Sequence, residues 1–427
     1  MKRSLLLLLT TLCATLLTAQ TTPTYLHCGR LIDGEGNQAT EQTIVVRGER
    51  IERVAAGYLP APAGAATIDL KDKTVLPGLI DLHVHIEFES SPTRYLENYT
   101  LDPADVALRA TTYCDKTLMA GFTTVRDLGG TGVNISLRNA IDKGYVRGPR
   151  IITAGKAIAT TGGHADPSNG RNTELSFDAG PAAGVINTED EAWKAVRTRY
   201  KNGADCIKIT ATGGVLSVAK DGQGPQFRDE EVSAIVAAAK DYNMITAAHA
   251  HGVEGMQRAI RAGITTIEHG TYMDEETMQM MVDNGTYYVP TLMAGAYVAE
   301  KAEVPGFYPA IIVPKARAIG PKLIETFAAA YAYGVPIAFG TDSGVSEHGK
   351  NGEEFALMVQ GGMSPMEAIS AATGVAAKVL RRDDEFGTLT AGKFADIIAV
   401  EGNPLEDVRE LERVGFVMKG GVVVKSY

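Results

Sequence analysis

The sequence predicts an α/β protein. Residues 78–387 are expected to form a (β/α)8 TIM barrel, and residues 20–77 plus 388–427 a small β-sandwich domain built from both chain termini. Three observations carry this reading. Short apolar runs alternate with amphipathic stretches through the middle of the chain, as a barrel requires. The two ends read as strands and turns only, with no helical period before about residue 104. Histidine, lysine and aspartate close many of the middle runs, which favours a barrel, whose strand ends carry the chemistry, over a doubly wound open sheet.

The chain opens with a targeting pattern. Lys2 and Arg3 precede a mostly apolar run from Leu5 to Leu17, and small or polar residues follow at Ala19 and Gln20. This reads as a signal peptide over residues 1–19, cleaved after Ala19. The run is short for a membrane span, which needs about 20 apolar residues. An exported protein, periplasmic or secreted and without membrane attachment after signal removal, is expected. Beyond the leader, Cys28, Cys114 and Cys206 are odd in number and lack paired spacing. They fit buried small side chains and neither a disulfide framework nor a cysteine zinc site.

Residues 24–75 contain "YLHCGRLIDGEG" and "TIVVRGERIERVA", runs ended by glycine or charge. The last forty or so residues repeat the style in "GKFADIIAVEG" and "VGFVMKGGVVVK". Between them the expected strands are "GLIDLHVH", "TTVRDLG", "RIITAG", "DCIKIT", "MITAAHA", "ITTIEHG", "TYYVPTL" and "PIAFGTD". Helical patterns cover Glu191–Asn202, Asp229–Tyr242 and Ser364–Leu380. From about Lys156 to Glu189 the chain is rich in Gly, Pro, Asn and Ser and has no period. A loop of that length in a compact domain is usually functional or disordered. Following the third strand, it should lie over the barrel mouth.

Apolar content of 45% supports a large core. Lys and Arg number 41 against 51 Asp and Glu, a formal charge of −10, with no basic run or basic aromatic patch. Nucleic-acid binding is therefore not expected. "DLGGTGVN" lacks the order of a dinucleotide fingerprint, and no G-x-S-x-G elbow occurs.

The strand-end residues suit a two-metal hydrolytic centre. His83 and His85 are two apart on a strand, so both imidazoles share a face and can reach one ion. His249 and His269 end consecutive strands and can hold a second. Lys208 lies in an otherwise apolar or small strand, where burial lowers an ammonium pKa. A neutral amine can add carbon dioxide and become a carbamate that bridges two cations. Asp342 in "GTDSG" can bind metal and take a proton from the attacking water, then deliver it to the leaving nitrogen. Two ions about 3.5–4 Å apart supply Lewis acidity and an acidified water.

Three residues are candidates for substrate contact. His164, in "TTGGHADP" of the long loop, can polarise the scissile carbonyl or hold the oxyanion. His251 shares a face with His249 and reads either as a substrate contact or as a structural hydrogen bond. The Tyr272 phenol can bind a substrate carboxylate. Arg228 reads as helix-entry charge, and His348 and His27 as surface or β-domain residues.

Taken together, "PGLIDLHVH", the strand-four lysine, "HAHG", "EHGT" and "GTDSG" resemble the amidohydrolase superfamily in order and across nearly the whole mature chain. "HAHG…IEHGTY" with a "TGGH" loop is similar to the branch of Xaa-Pro dipeptidases, other metallo-carboxypeptidases and ochratoxin-hydrolysing amidases. The resemblance implies a barrel with a side β-sandwich, a binuclear zinc centre, carboxylated Lys208 and a homo-oligomer, in several relatives an octamer. By motif it gives His83, His85 and Asp342 to one zinc and His249 and His269 to the other, with Lys208 bridging. The expected function is hydrolysis of the amide to a C-terminal amino acid. Dipeptides and N-acyl amino acids, Xaa-Pro or aromatic, and ochratoxin-type amides are the substrate class. A deaminase or cyclic-amide hydrolase is the alternative on the same scaffold, and a non-catalytic metal-binding descendant a third.

Overall fold

The computed structural model describes residues 22–172, 174–219 and 222–427. The leader expected at 1–19 lies outside the described residues. The chain begins with β1 (Thr24–Ile32), β2 (Gln38–Arg47), β3 (Arg50–Ala56) and β4 (Ala66–Pro77). The middle supplies β5 (Leu79–Val84), β6 (Phe122–Asp127), β7 (Arg150–Thr153), β8 (Cys206–Thr210), β9 (Ile245–Ala250), β10 (Thr266–His269) and β11 (Tyr287–Val289). The end supplies β12 (Ile397–Val400), β13 (Phe416–Lys419) and β14 (Val422–Lys425).

The terminal strands form one seven-stranded sheet in the order β14-β13-β12-β4-β1-β2-β3. β12 runs antiparallel to β4, with Ile397 opposite Pro77, so the two ends of the chain are paired directly. Leu26, Cys28, Ile44, Val75, Ile397 and Phe416 pack into its own apolar cluster. β4 passes into β5 through Pro77 and Gly78. The Gly78 amide donates to Asp396 O at 2.8 Å, and a Cβ there would sit 2.2 Å from Thr123 Oγ1. Only glycine fits this joint between the terminal sheet and the middle of the chain.

β5, β6 and β7 form a parallel three-stranded sheet, and β11-β10-β9-β8 a parallel four-stranded one. Backbone hydrogen bonds link their edges. Asp205 N donates to Thr153 O at 2.7 Å, and Ile158 N to Lys208 O at 2.8 Å. On the other side, residues 336–343 bond to both neighbours. Tyr288 N donates to Pro336 O at 2.8 Å, Leu82 N to Phe339 O at 3.1 Å, and Asp342 N to His83 O at 2.7 Å.

That last segment is "PIAFGTD", expected as a strand but not assigned as one in the structure. Pro336 lacks an amide donor and Asp342 turns to φ +58°, so the ladder is interrupted at both ends. Two further differences stand out. A helix at Arg94–Thr100 precedes the first expected one, and the segment Ser364–Leu380 is broken into Pro365–Ala371 and Gly374–Val379. Thr373 between them has φ −134° and ψ −98°, outside the helical range. Among the described residues of the aperiodic 156–189 stretch there is one turn of helix at Gly180–Ala183 and isolated bridges at Ile158, Ala159 and Val185, and Glu189 opens the next helix. Helices otherwise alternate with the middle strands, and Leu79, Val84, Phe122, Val125, Ile151 and Ile207 pack into the large core cluster with them. Cys28, Cys114 and Cys206 are free and buried, as expected.

Candidate active site

The charged side chains of the middle strands are buried and meet across the two sheets. His83 of β5 points Nδ1 at Glu268 Oε2 of β10, 2.8 Å away, and its Nε2 lies 3.3 Å from Lys208 Nζ of β8. Asp342 Oδ1 is 3.3 Å from His85 Nε2 and 3.5 Å from His83 Nε2. The His269 ring lies 5.0 Å from that of His83 and 4.7 Å from that of His249. The six strand-end residues singled out from the sequence are thus brought together at the strands' C-terminal ends. They line a cavity of about 530 Å³, as do His164 and His251.

Each of the four imidazoles has one nitrogen engaged away from the others. His83 Nδ1 faces Glu268, His85 Nδ1 faces Gly129 O at 2.7 Å, His249 Nε2 faces Gly213 O at 3.1 Å, and His269 Nδ1 faces Thr291 Oγ1 at 2.7 Å. An acceptor behind one nitrogen fixes the tautomer and frees the other for a cation, the usual arrangement behind a metal-bound histidine. The electrostatics agree. Burial, then the Lys208 charge, holds His85 down at about 3, and His83, His249 and His269 are also pushed well below their ordinary value, first by burial. The rings are therefore neutral, as ligands must be. Burial also pushes the Asp342 carboxyl up and the Lys208 ammonium down, so each charged form is disfavoured without further partners.

Asp342 Oδ1 is buried with no hydrogen-bond donor. Ligand atoms of His83, His269 and Asp342 all lie within 4.8 Å of one another. His269, Thr291 and Asp342 have φ of +72°, +53° and +58°, a region that costs a non-glycine residue energy and recurs at functional sites. A neutral nitrogen set, an orphaned buried carboxylate and a close three-atom group fit divalent metal.

His164 stacks on His249, ring centres 4.3 Å apart, and its Nδ1 is buried without a partner. Burial, then the Lys208 and Lys315 charges, holds it at about 4, so the ring is neutral. Gln226 Oε1 accepts its backbone amide at 2.8 Å. Gly214 lies against the ring, where a Cβ would come within 2.2 Å of Cε1. Gly214→Ala is therefore expected to displace His164 and lower kcat on the order of 10²-fold with bound metal unchanged, the usual cost of one lost oxyanion donor. Steady-state kinetics with metal analysis on the same sample check this. His251 Nδ1 bonds Thr271 Oγ1 at 2.8 Å, so the structural hydrogen bond exists alongside a place on the cavity wall.

Two expectations change. Tyr272 is not among the residues lining the cavity; the contact recorded for it is its amide, which donates to His251 O at 2.9 Å. Tyr95 and Tyr308 line the cavity. His348 is buried rather than superficial. Its Nε2 faces His85 O at 3.2 Å and Phe88 O at 3.0 Å, so it ties down the loop that follows the first histidine pair. Arg228 caps helix Asp229–Asp241 and pairs with Glu231 at 3.0 Å, the helix-entry role expected of it. His27 lies in β1.

Several functional residues escaped the sequence reading. Glu268 accepts from His83 and pairs with Arg126 at 2.9 Å, both fully buried. Arg126 also donates to Leu82 O at 2.6 Å. Asp81 accepts from Thr341 Oγ1 at 2.6 Å and Asn351 Nδ2 at 2.8 Å. The available signal was the one that marked Lys208: a charge inside an apolar strand, present in "TTVRDLG", "IEHG" and "DLHVH" alike.

Comparison with known proteins agrees with this geometry. The family described as "Amidohydrolase family" matches residues 74–424. Ochratoxinase of Aspergillus niger is 33% identical, over 94% of this chain and 87% of its own length. A crystal structure of an Xaa-Pro dipeptidase with bound methionine in the active site is 51% identical, with a TM-score of 0.92 over 95% of this chain and 100% of that one. A prolidase complexed with N-methylphosphonate-L-proline is 33% identical with a TM-score of 0.87, again over 95% and 100%. With histidines, lysine and aspartate gathered at the strand ends and the family matched across most of its length, this chain belongs to the amidohydrolase family and is an enzyme that hydrolyses amides.

Proposed function

We propose that the protein is an exported, binuclear-zinc amidohydrolase that cleaves the amide joining an acyl group to a C-terminal amino acid. Xaa-Pro or aromatic dipeptides, N-acyl amino acids and ochratoxin-type amides form the substrate class. The carrying observation is the set of four neutral imidazoles around Lys208 and Asp342, each with its second nitrogen held from behind. The likeness to an Xaa-Pro dipeptidase and to ochratoxinase supports the choice of bond. The middle of the chain, 78–387, acts in this reading as a (β/α)8 barrel, and 20–77 with 388–427 as an accessory β domain. The edge-to-edge hydrogen bonds and the shared terminal sheet support that division. A homo-oligomer is proposed with it.

His83, His85, His249, His269 and Asp342 would hold the ions, with Lys208 joining them as its carbamate. When bound, the pair supplies Lewis acidity to the carbonyl and acidity to the attacking water. The chain's own residues do the rest. Asp342, at the cavity wall and beside two imidazoles, accepts the water proton and returns it to the leaving nitrogen. His164 donates one hydrogen bond to the oxygen that becomes negative. Leu128, Val298, Ile319 and Leu323 line the cavity and give it an apolar wall for the substrate.

Removal of metal by a chelator should reduce amide hydrolysis to background, and zinc or cobalt should restore it. Release of free amino acid from a panel of Xaa-Pro dipeptides and N-acyl aromatic amino acids reads both metal dependence and bond choice. Ammonia or ring-opened products in place of amino acid would favour the deaminase or cyclic-amide reading. Failure of metal-replete enzyme to release an amino acid from any member would overturn the proposal.

A further inference from the structure

Two cations line the catalytic cavity without an acid to neutralise them. Arg94 Cζ lies 4.2 Å from the centre of the Phe88 ring, and Phe88 stacks on His85 at 5.4 Å. Arg94 Nη1 donates to Asn98 Oδ1 at 2.7 Å, and Arg94 makes no ion pair among the described residues. The two acids whose charges reach it are engaged elsewhere. Glu97 pairs with Arg109 at 2.9 Å, and Glu87 accepts the Thr131 and Asn134 amides, each at 2.7 Å. Lys156, in the loop after β7, lines the same cavity and is likewise without an ion pair among the described residues.

The acids on the cavity wall do not compensate. Asp342 belongs to the ligand cluster, and Asp166 accepts from Gly162 N and from both the amide and hydroxyl of Ser168. In a chain of net charge −10 a cationic cavity is not a reflection of composition. Burial lowers the proton affinity of Arg94, and the charges of Glu97 and Glu87 do not offset it. Its planar fork suits a carboxylate, and the Phe88 face holds it in place. Stacking distances of 4.2 and 5.4 Å bound its distance from the His85 ring. That bound is less than about three extended residues. A dipeptide held at the histidine cluster can therefore place a carboxylate there.

We propose that Arg94 and Lys156 select substrates with two carboxylates, the α-carboxylate of the released amino acid and a second on a side chain. The inference rests on the amide-hydrolase reading and adds to it a preference, among dipeptides and N-acyl amino acids, for those that carry a second, side-chain carboxylate. A single α-carboxylate would leave one of the two cations without a counter-charge. A charge-assisted contact in such a site favours the charged substrate roughly ten- to a hundredfold.

The test compares kcat/KM for Ala-Glu with Ala-Gln, and for Glu-Ala with Gln-Ala, on the metal-replete enzyme. At least one acid-to-amide ratio should be about ten or more. That ratio should collapse towards one in Arg94→Gln, in Lys156→Gln or in both. Ratios near or below one in the wild type overturn the subsite while hydrolysis of the glutamine peptides leaves the amidase reading intact. A ratio that survives both substitutions also overturns the assignment, and no turnover of any of the four peptides overturns both readings. A measurement free of variants guards against misfolding: glutarate should inhibit the wild type about tenfold more tightly than butyrate, and equal inhibition counts against the subsite.

Discussion

Asp342→Asn is expected to lower kcat by on the order of 10³- to 10⁴-fold, with KM changed by less than about threefold. The carboxylate is the one acid within 3.5 Å of both His83 and His85, and its Oδ1 is buried with no hydrogen-bond donor. Asparagine keeps the shape of the side chain but cannot accept a proton from water. It also tolerates the left-handed backbone, here φ +58°, better than most residues do. The variant should therefore fold. Burial raises the Asp342 pKa, so the ionised form opposes folding of the metal-free protein. The sign is clear: a carboxyl raised in the folded state costs stability above its unfolded pKa of about 3.9. Replacement by a neutral amide removes that cost at neutral pH, and metal-free Asp342→Asn should unfold at a denaturant concentration equal to or above that of the wild type. Retention of more than a tenth of wild-type kcat would remove Asp342 from the proton-transfer role.

The ligand-type residues were legible because each breaks a local rule. A histidine, lysine or aspartate at the end of an apolar β run has no packing reason to be there, and six such breaks in one chain point to a shared site. Strand register then did the rest: His83 and His85 share a face because side chains alternate, and the structure sets both against Asp342. The residues behind the ligands were less visible. Glu268 directly precedes His269, so alternation alone would turn it away from that ring. Its partner is His83, 185 positions earlier, across the sheets. Contacts of that kind depend on closing the chain in three dimensions. Tyr272 is a different case. It sits three positions past His269, close in sequence, but Gly270 at φ +57° redirects the chain after β10. Arg94 belongs to a seven-residue helix with no buried residue, too short and too polar for its period to register against the surrounding loop. The eighth strand was recognised by composition and found as an irregular segment, since hydrophobic runs report burial more reliably than ladder geometry.

The buried pair behind His83 gives the largest expected effect on stability. Arg126 and Glu268 are both inaccessible, and Glu268 serves Arg126, His83 and Thr266 at once. Glu268→Ala leaves a fully buried guanidinium without a counter-charge, which costs about 3–5 kcal/mol. The metal-free protein should lose that much by denaturant unfolding. Metal affinity should also fall about 10–100-fold, because His83 loses the acceptor that fixes its tautomer and aim. These two losses have different causes and can be separated. In Arg126→Met with Glu268→Leu both charges are gone, so most of the stability should return, as apolar replacement of a whole buried pair is often neutral or better. Metal affinity should stay low in the double variant, since nothing again faces His83 Nδ1. Glu268→Gln offers the complementary case: its carbonyl can still accept from His83, so metal affinity should exceed that of Glu268→Ala, while Arg126 remains unpaired and stability stays reduced. If Glu268→Ala cost less than about 1 kcal/mol and bound zinc as tightly as the wild type, the acid would be a bystander in the protein interior. His83 would then be oriented by Lys208 and Asp342 alone.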